Sequence, residues 1–188
     1  MSALSATFLD WWFAPWRLGG GDPVLAGVDA PPARRDAYRA WCRQAGVPPD
    51  LPAAGNPGWQ AAALEDGAAL RRCCALYGGL FAAREQDHAV LRSLLAGDRR
   101  WCLSVAMTQP LQGGAVHAGG DAGQRGMLEL ACRLDAQFPG MWPRLRRLLH
   151  DVPAAPSPTL SGAAASAAAL SRAQRCWSLC LARAQAPT

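Results

Sequence analysis

The residues of this sequence best suited to chemistry are its seven cysteines, at positions 42, 73, 74, 102, 132, 176 and 180. Zinc sites draw four ligands from closely spaced Cys and His residues, usually on turns. Cys176 and Cys180 instead lie four residues apart in an apolar helical pattern. The sequence contains no Cys-x-x-Cys pair, so a thioredoxin-like redox site is not predicted. The spacing therefore favours buried structural thiols and predicts neither a metal site nor a cofactor.

The histidines and acidic residues give no better candidate for a catalytic group. His88 follows a potential helix cap, His117 lies in a Gly-rich stretch, and His150 ends a helical pattern, where an imidazolium favours the helix dipole. The acidic residues fall mostly at expected helix starts, where carboxylates act as caps. The sequence contains no lysine and no Gly-Lys-Ser/Thr loop, so no phosphate-binding loop is predicted. We therefore predict no catalytic residue and no enzymatic activity.

The net charge of +5 rests entirely on arginine, whose 19 copies are scattered or paired along the chain. Such a charge can serve binding to nucleic acid or to acidic protein surfaces, or it can simply solvate helix faces. Trp142 beside Arg144, Arg146 and Arg147 places an aromatic side chain next to a basic stripe. A helix-turn-helix reader needs a tight turn and a polar recognition helix, and this segment has only half of that pattern. A solvated edge, or a surface for an acidic partner, is the favoured interpretation.

The elements that carry these residues are predicted to be helices almost throughout. Apolar residues recur at spacings of three and four, and no segment alternates convincingly like a strand. We predict an all-α fold, an irregular bundle of about six helices with Pro/Gly-rich loops and few or no strands. Asp87 and Asp98 are predicted to cap two of the helices. The predicted helices cover roughly 33–45, 60–83, 88–97, 98–106, 123–138, 143–150 and 162–184.

The chain is predicted to be a single helical domain over 1–188, with possible halves 1–110 and 123–188 joined by a Gly-rich loop. Its first 32 residues are predicted to be irregular, an extended or short-turn segment whose aromatic side chains dock onto the body. No stretch reaches the ~18 uninterrupted apolar residues of a membrane span. No basic region precedes the first apolar residues, as it would in a signal peptide. These features predict a cytoplasmic protein.

Several motifs of the chain follow one another in a distinctive order. A helix opens at Gly126-Met127-Leu128, and a Pro-Gly-x-Trp break follows at 139–142. Arg144-Leu145-Arg146 then leads to Pro153, and an Arg-Ala-x-x-Cys-x-x-Leu-Cys helix covers 172–180. Upstream come a Leu-rich helix, a shorter helix ending at Leu-x-x-Gly and an aromatic-containing helix. This order, with the Phe-Ala-Pro opening at 13–15, resembles the SctK family of type III secretion systems (YscK, PscK, MxiK, OrgA and the Hrp counterparts).

The resemblance implies a non-enzymatic adaptor of the secretion machine's cytoplasmic sorting platform. Such an adaptor joins the pod protein, which is related to the flagellar switch proteins, to the cytoplasmic domain of the inner-membrane ring. It would lie at the cytoplasmic face of the inner membrane through these partners, without a transmembrane segment of its own. Tryptophan and arginine are the commonest anchors of interfaces. The candidate partner-binding residues are Trp11, Trp12 and Trp16 on one side and Arg144, Arg146 and Arg147 on another.

Three alternatives remain open at this point. The tryptophans could belong to the core rather than to an interface. The protein could be a nucleic-acid-binding regulator, whose affinity would fall steeply with salt. It could also be a helical enzyme of unrecognised class, such as a small thiol enzyme, which would need one cysteine with a depressed pKa.

Overall fold

In the computed structural model, the regular structure of the described residues is entirely helical. The structure describes residues 3–14, 30–53, 55–64, 66–109, 111, 113, 120–149 and 166–186. No strand occurs among these residues, so the predicted all-α class is confirmed. Within the described ranges, two 3-10 helices cover Pro57–Leu64 and Arg146–Leu148. The α-helices are α1 (Ala6–Phe13), α2 (Pro31–Ala45), α3 (Gly67–Glu85), α4 (His88–Arg92), α5 (Ala96–Thr108), α6 (Ala122–Gln137), α7 (Met141–Leu145) and α8 (Ala167–Gln185).

The chain divides into two compact units, each built from two stretches of sequence. The first unit comprises Met1–Gly67 and Leu134–Val152. The second comprises Ala68–Arg133 and Pro153–Thr188. In the first unit, aromatic rings from α1 pack around Phe138, which directly follows α6. In the second, the core is built on α3, whose residues from Leu76 to Ala82 are all buried.

The N-terminal aromatics lie on a helix, so the prediction of an irregular start is wrong for 6–13. Ser5 caps α1, because its hydroxyl oxygen accepts a hydrogen bond from the backbone N–H of Phe8 at 3.2 Å. Phe8, Trp11 and Trp12 recur at helical spacing and are buried on one face. Trp16 and the rest of 15–29 lie outside the described residues. The pattern of α1 is short, and the Gly- and Pro-rich sequence after it favoured the prediction of an irregular segment.

The segment before α3 also differs from the prediction. Gly46 ends α2 in the left-handed conformation, with φ of 65°, as the sequence predicts. The predicted helix from Gln60, however, begins as the 3-10 helix Pro57–Leu64, and α3 starts only at Gly67. Gln137 holds this segment in place, because its backbone oxygen accepts from Asn56 at 2.9 Å and its side-chain oxygen accepts from the Trp59 indole at 3.1 Å. Both contacts span about eighty residues, so a local pattern could not indicate them.

Asp87 caps α4 as predicted, but Asp98 does not cap α5. The Asp87 carboxylate accepts from the backbone N–H groups of Ala89 and Val90, each at 3.1 Å. Gly97, the last residue of the helix predicted over 88–97, instead lies in the first turn of α5, which begins after Leu95. Asp98 is buried there and accepts hydrogen bonds from the Arg183 guanidinium at 3.1 and 3.2 Å. A side chain held by an arginine from α8 is not free to cap its own helix.

The C-terminal helices keep their predicted order with shifted ends. α6 matches its prediction within a residue at each end, and Gly140 breaks the chain after it with φ of 83°. α7 starts earlier than predicted, at Met141, and continues as the 3-10 helix Arg146–Leu148. Ser166 caps α8 by accepting from the Ala169 N–H at 3.2 Å. The residues from His150 to 165 lie outside the described part of the chain.

Candidate functional site

Arg144 is the central polar residue of the first unit, and it is buried. Its side chain is 1% exposed, and the guanidinium carbon lies 3.8 Å from the ring centre of Trp12. The guanidinium donates hydrogen bonds to the backbone oxygens of Gly140 at 2.8 Å and Pro48 at 2.9 Å. It also donates to the hydroxyl of Tyr38 at 2.7 Å. No carboxylate of the described residues pairs with it, so dipoles and an aromatic face stabilise its charge.

Tyr38 connects this buried cation to the surface. Its hydroxyl accepts from Arg144 and donates to the backbone oxygen of Pro49 at 2.6 Å. Burial raises the pKa of Tyr38 to about 12, even though the neighbouring Arg144 charge opposes the shift. The hydroxyl therefore keeps its proton near neutral pH and remains the donor to Pro49. On its outer side, the Tyr38 ring meets Phe13 edge-on, with 5.3 Å between the ring centres.

A surface groove opens above Tyr38, with a volume of about 430 Å³. It holds three arginines against one aspartate, a net of two positive charges. None of the three arginines pairs with a carboxylate within the described ranges. We call this site the arginine groove. Its lining residues are Phe13, Arg34, Arg35, Tyr38, Arg39, Pro49 and Asp50.

Three elements position the groove. α2 supplies the arginines and Tyr38, and α1 places Phe13 at its C-terminal end. The turn after Gly46 brings Pro48 and Pro49 back onto α2, where their carbonyl oxygens bind Arg144 and Tyr38. The buried Arg144 thus fixes both the floor of the groove and its proline-lined wall.

The predicted partner-binding residues separate into buried and exposed sets. Trp11 and Trp12 are 2% and 0% exposed, and Arg144 is also buried, so their side chains offer no surface to a partner. Their burial supports the alternative that Trp11 and Trp12 belong to the core. Arg146 and Arg147 are exposed, as expected of a basic edge. Trp16 lies outside the described residues.

Sequence reasoning did not find the groove. The Arg34-Arg35 pair was visible as charge, and the spacing of Arg34, Arg35, Tyr38 and Arg39 places them on neighbouring positions of one helix. Phe13 and Asp50 join them only through tertiary contacts, which no local spacing reveals. The one sequence signal was the clustering of arginines at 34, 35 and 39 in a helix whose first turn has no acidic residue.

The cysteines are all buried. Burial raises the pKa of the Cys102 thiol to about 12. Burial also raises the pKa values of Cys74, Cys176 and Cys180 above that of a free thiol. A nucleophilic cysteine needs the opposite shift and access to solvent. In the part of the chain that the structure describes, no three Cys, His, Asp or Glu side chains are grouped to hold a metal ion.

Comparison of the chain with protein-family models, with curated proteins and with solved structures finds no match. None of the helices within the described ranges is long and apolar enough to cross a membrane.

Proposed function

We propose that this protein is a non-enzymatic adaptor that binds partner proteins through its surface. The observation that carries this proposal is the arginine groove, where unpaired guanidinium groups surround an exposed aromatic ring. Arginine and aromatic residues are enriched where proteins bind each other and supply most hot spots. The buried thiols with raised pKa values argue against the thiol-enzyme alternative, because a protonated, shielded sulfur is a poor nucleophile.

We place this adaptor in a bacterial type III secretion system, between the cytoplasmic pod protein and the cytoplasmic domain of the inner-membrane ring. The support is the order of motifs that resembles the SctK family: the helix from Gly126, the break at 139–142 and the arginine- and cysteine-containing helix at 172–180. In this role the protein lies at the cytoplasmic face of the inner membrane and is peripheral to it through its partners.

A pull-down of the tagged full-length chain from its native cytoplasm, read by mass spectrometry at moderate salt, tests this proposal. We expect to recover a switch-like pod protein or an inner-membrane-ring subunit, absent from a tag-only control. Recovery of neither, with both detectable in the input, would reject the secretion role. Recovery of nucleic acid that is lost steeply as salt rises would favour the regulator alternative, which the net charge of +5 keeps open.

A further inference from the structure

We propose that the arginine groove binds an acidic segment of a partner protein, one that also carries an aromatic or large apolar side chain. The inference rests on the proposed adaptor role and names the chemistry of the partner at that site. It does not depend on which secretion component supplies the segment.

The charge of the groove selects for carboxylates. Arg34, Arg35 and Arg39 bring three guanidinium groups to one side of α2, and none of them forms an ion pair with a described carboxylate. With Asp50 in the lining, the groove keeps a net of two positive charges. Arg144 also has no ion-pair partner among the described acidic groups. Its guanidinium donates a hydrogen bond to Tyr38, which lines the groove, so its charge adds to the positive potential there. Planar guanidinium groups hold carboxylates through paired, charge-assisted hydrogen bonds. A partner segment rich in Glu or Asp therefore complements this surface.

The exposed ring of Phe13 selects for an apolar side chain within that segment. Three other aromatic side chains of α1 are buried, whereas Phe13 is 40% exposed and meets the Tyr38 ring edge-on. An apolar group that covers the open face of Phe13 would remove it from water and exclude water from the neighbouring ion pairs. The groove volume of about 430 Å³ lies in the range of compact binding sites, which suits a few side chains rather than a folded domain.

An acidic peptide fits this groove better than a nucleic acid does. Phosphate backbones are held by basic side chains that follow the strand over many nucleotides. The groove offers three arginines in one place rather than along an extended path. A peptide can place its carboxylates against the arginines and its apolar side chain against Phe13.

Fluorescence anisotropy on the full chain tests the proposal with three labelled probes. The first is a short peptide rich in Glu with one central Trp, the second replaces every Glu by Gln, and the third is a single-stranded DNA oligonucleotide. We expect the Glu peptide to bind and the Gln peptide to bind at least about tenfold more weakly, because several ion pairs are lost. Equal binding of the two peptides would overturn the charge argument. Preferential binding of the oligonucleotide would overturn the choice of a protein partner.

Matched variants locate the binding. The double substitution Arg35→Glu with Arg39→Glu alters exposed residues of the groove and should weaken the Glu peptide by at least about tenfold. Arg71→Glu with Arg100→Glu makes the same change of charge at exposed positions of the second unit and should leave binding nearly unchanged. Arg35→Gln with Arg39→Gln repeats the test without reversing charge, in case the first pair perturbs folding. Equal weakening by groove and control pairs would reject the groove as the site.

The same groove variant separates this inference from the adaptor proposal. If the pull-down recovers the secretion partners with both the wild type and Arg35→Glu/Arg39→Glu, the adaptor role stands and the groove inference falls. If the wild type binds the Glu peptide but recovers no secretion partner, the groove inference stands and the secretion role falls.

Discussion

At the scale of single residues, Arg144 shows how a buried cation is tolerated without a carboxylate. Removing a charge from water is costly unless hydrogen bonds and nearby dipoles replace the water. Two backbone oxygens, the Tyr38 hydroxyl and the face of Trp12 provide that replacement. The helical pattern predicted an exposed arginine, because a sequence cannot show that the Pro48 carbonyl and the Tyr38 hydroxyl, about a hundred residues away, will accept its hydrogen bonds.

We expect Arg144→Ala to lower the free energy of unfolding by about 3 kcal/mol or more. The substitution removes the guanidinium hydrogen bonds to the oxygens of Gly140 and Pro48 and the group stacked on Trp12. Urea unfolding followed by circular dichroism measures the loss. Arg144→Lys should recover little of it, because an ammonium cannot present the planar fork that spans these acceptors.

The control for this prediction is Arg146→Ala, two positions away and exposed. It should change the free energy of unfolding by no more than about 0.5 kcal/mol. If Arg144→Ala costs no more than Arg146→Ala, the buried guanidinium is not part of what stabilises the first unit.

Asp98 makes a second prediction at this scale. Its carboxylate accepts two hydrogen bonds from Arg183, and the Arg72 guanidinium lies 3.9 Å away. Because both arginines remain partly exposed, we expect Asp98→Asn to cost about 1–2 kcal/mol in urea unfolding. Asp36→Asn, at an exposed position of α2, is the matched control and should be nearly neutral. If Asp98→Asn lowers the free energy of unfolding no more than Asp36→Asn does, solvent screens the interaction of Asp98 with the two arginines completely.

At the scale of elements, α3 and α6 approach each other so closely that glycine is required where they meet. A Cβ atom at Gly78 would overlap the backbone oxygen of Ala122 and lie 2.6 Å from the backbone nitrogen of Gly126. One at Gly126 would overlap the backbone oxygen of Cys74. A glycine inside a helix weakens the helix and permits a close neighbour, so the sequence is compatible with a close approach at Gly78. It could not identify α6 as that neighbour.

We expect Gly78→Ala and Gly126→Ala each to lower the free energy of unfolding by at least about 2 kcal/mol, because the helices must move apart. Intrinsic helix propensity alone predicts the opposite sign, a gain of up to about 1 kcal/mol. Gly97→Ala, inside α5, is the matched control, because the nearest atom to its Cβ would be 3.8 Å away. It should be neutral or stabilising in the same thermal and urea unfolding measurements. A gain in stability at Gly78 would contradict the close approach.

Elements with local start and stop signals were predictable, and those fixed by distant contacts were not. α2 has prolines at its first positions and Gly46 at its end, and α6 stops before Pro139-Gly140, so both were placed within two residues. The 3-10 helix Pro57–Leu64 depends on Gln137, and α1 depends on packing against Phe138. The arginine groove belongs to the second kind, since its walls come from separate elements.

At the scale of the whole molecule, the absence of lysine and the burial of the thiols predict that stability depends on alkaline pH. The sequence has no lysine, so cysteines and two tyrosines are the side chains that titrate between about pH 8 and pH 11. All seven cysteines are buried. Burial raises the pKa values of Cys74, Cys102 and Cys180, and likewise that of Tyr77. The folded state therefore holds these protons more tightly than the unfolded chain does.

The sign of the effect follows from that difference in proton binding. A free thiol has a pKa of about 8.5, so above that pH the unfolded chain releases protons that the folded chain retains. The stabilisation from each such thiol is fully present below about pH 8.5 and falls by about 1.4 kcal/mol per pH unit as pH rises toward its folded pKa. We expect the midpoint of thermal unfolding, measured with a reductant present, to be constant near neutral pH and to fall steeply above about pH 9. Cys74→Ala with Cys180→Ala should make that fall shallower, whatever its effect at neutral pH, because two of the retained protons are gone. If the unfolding midpoint falls equally in the wild type and the double variant, groups other than these two thiols cause the loss of stability at alkaline pH.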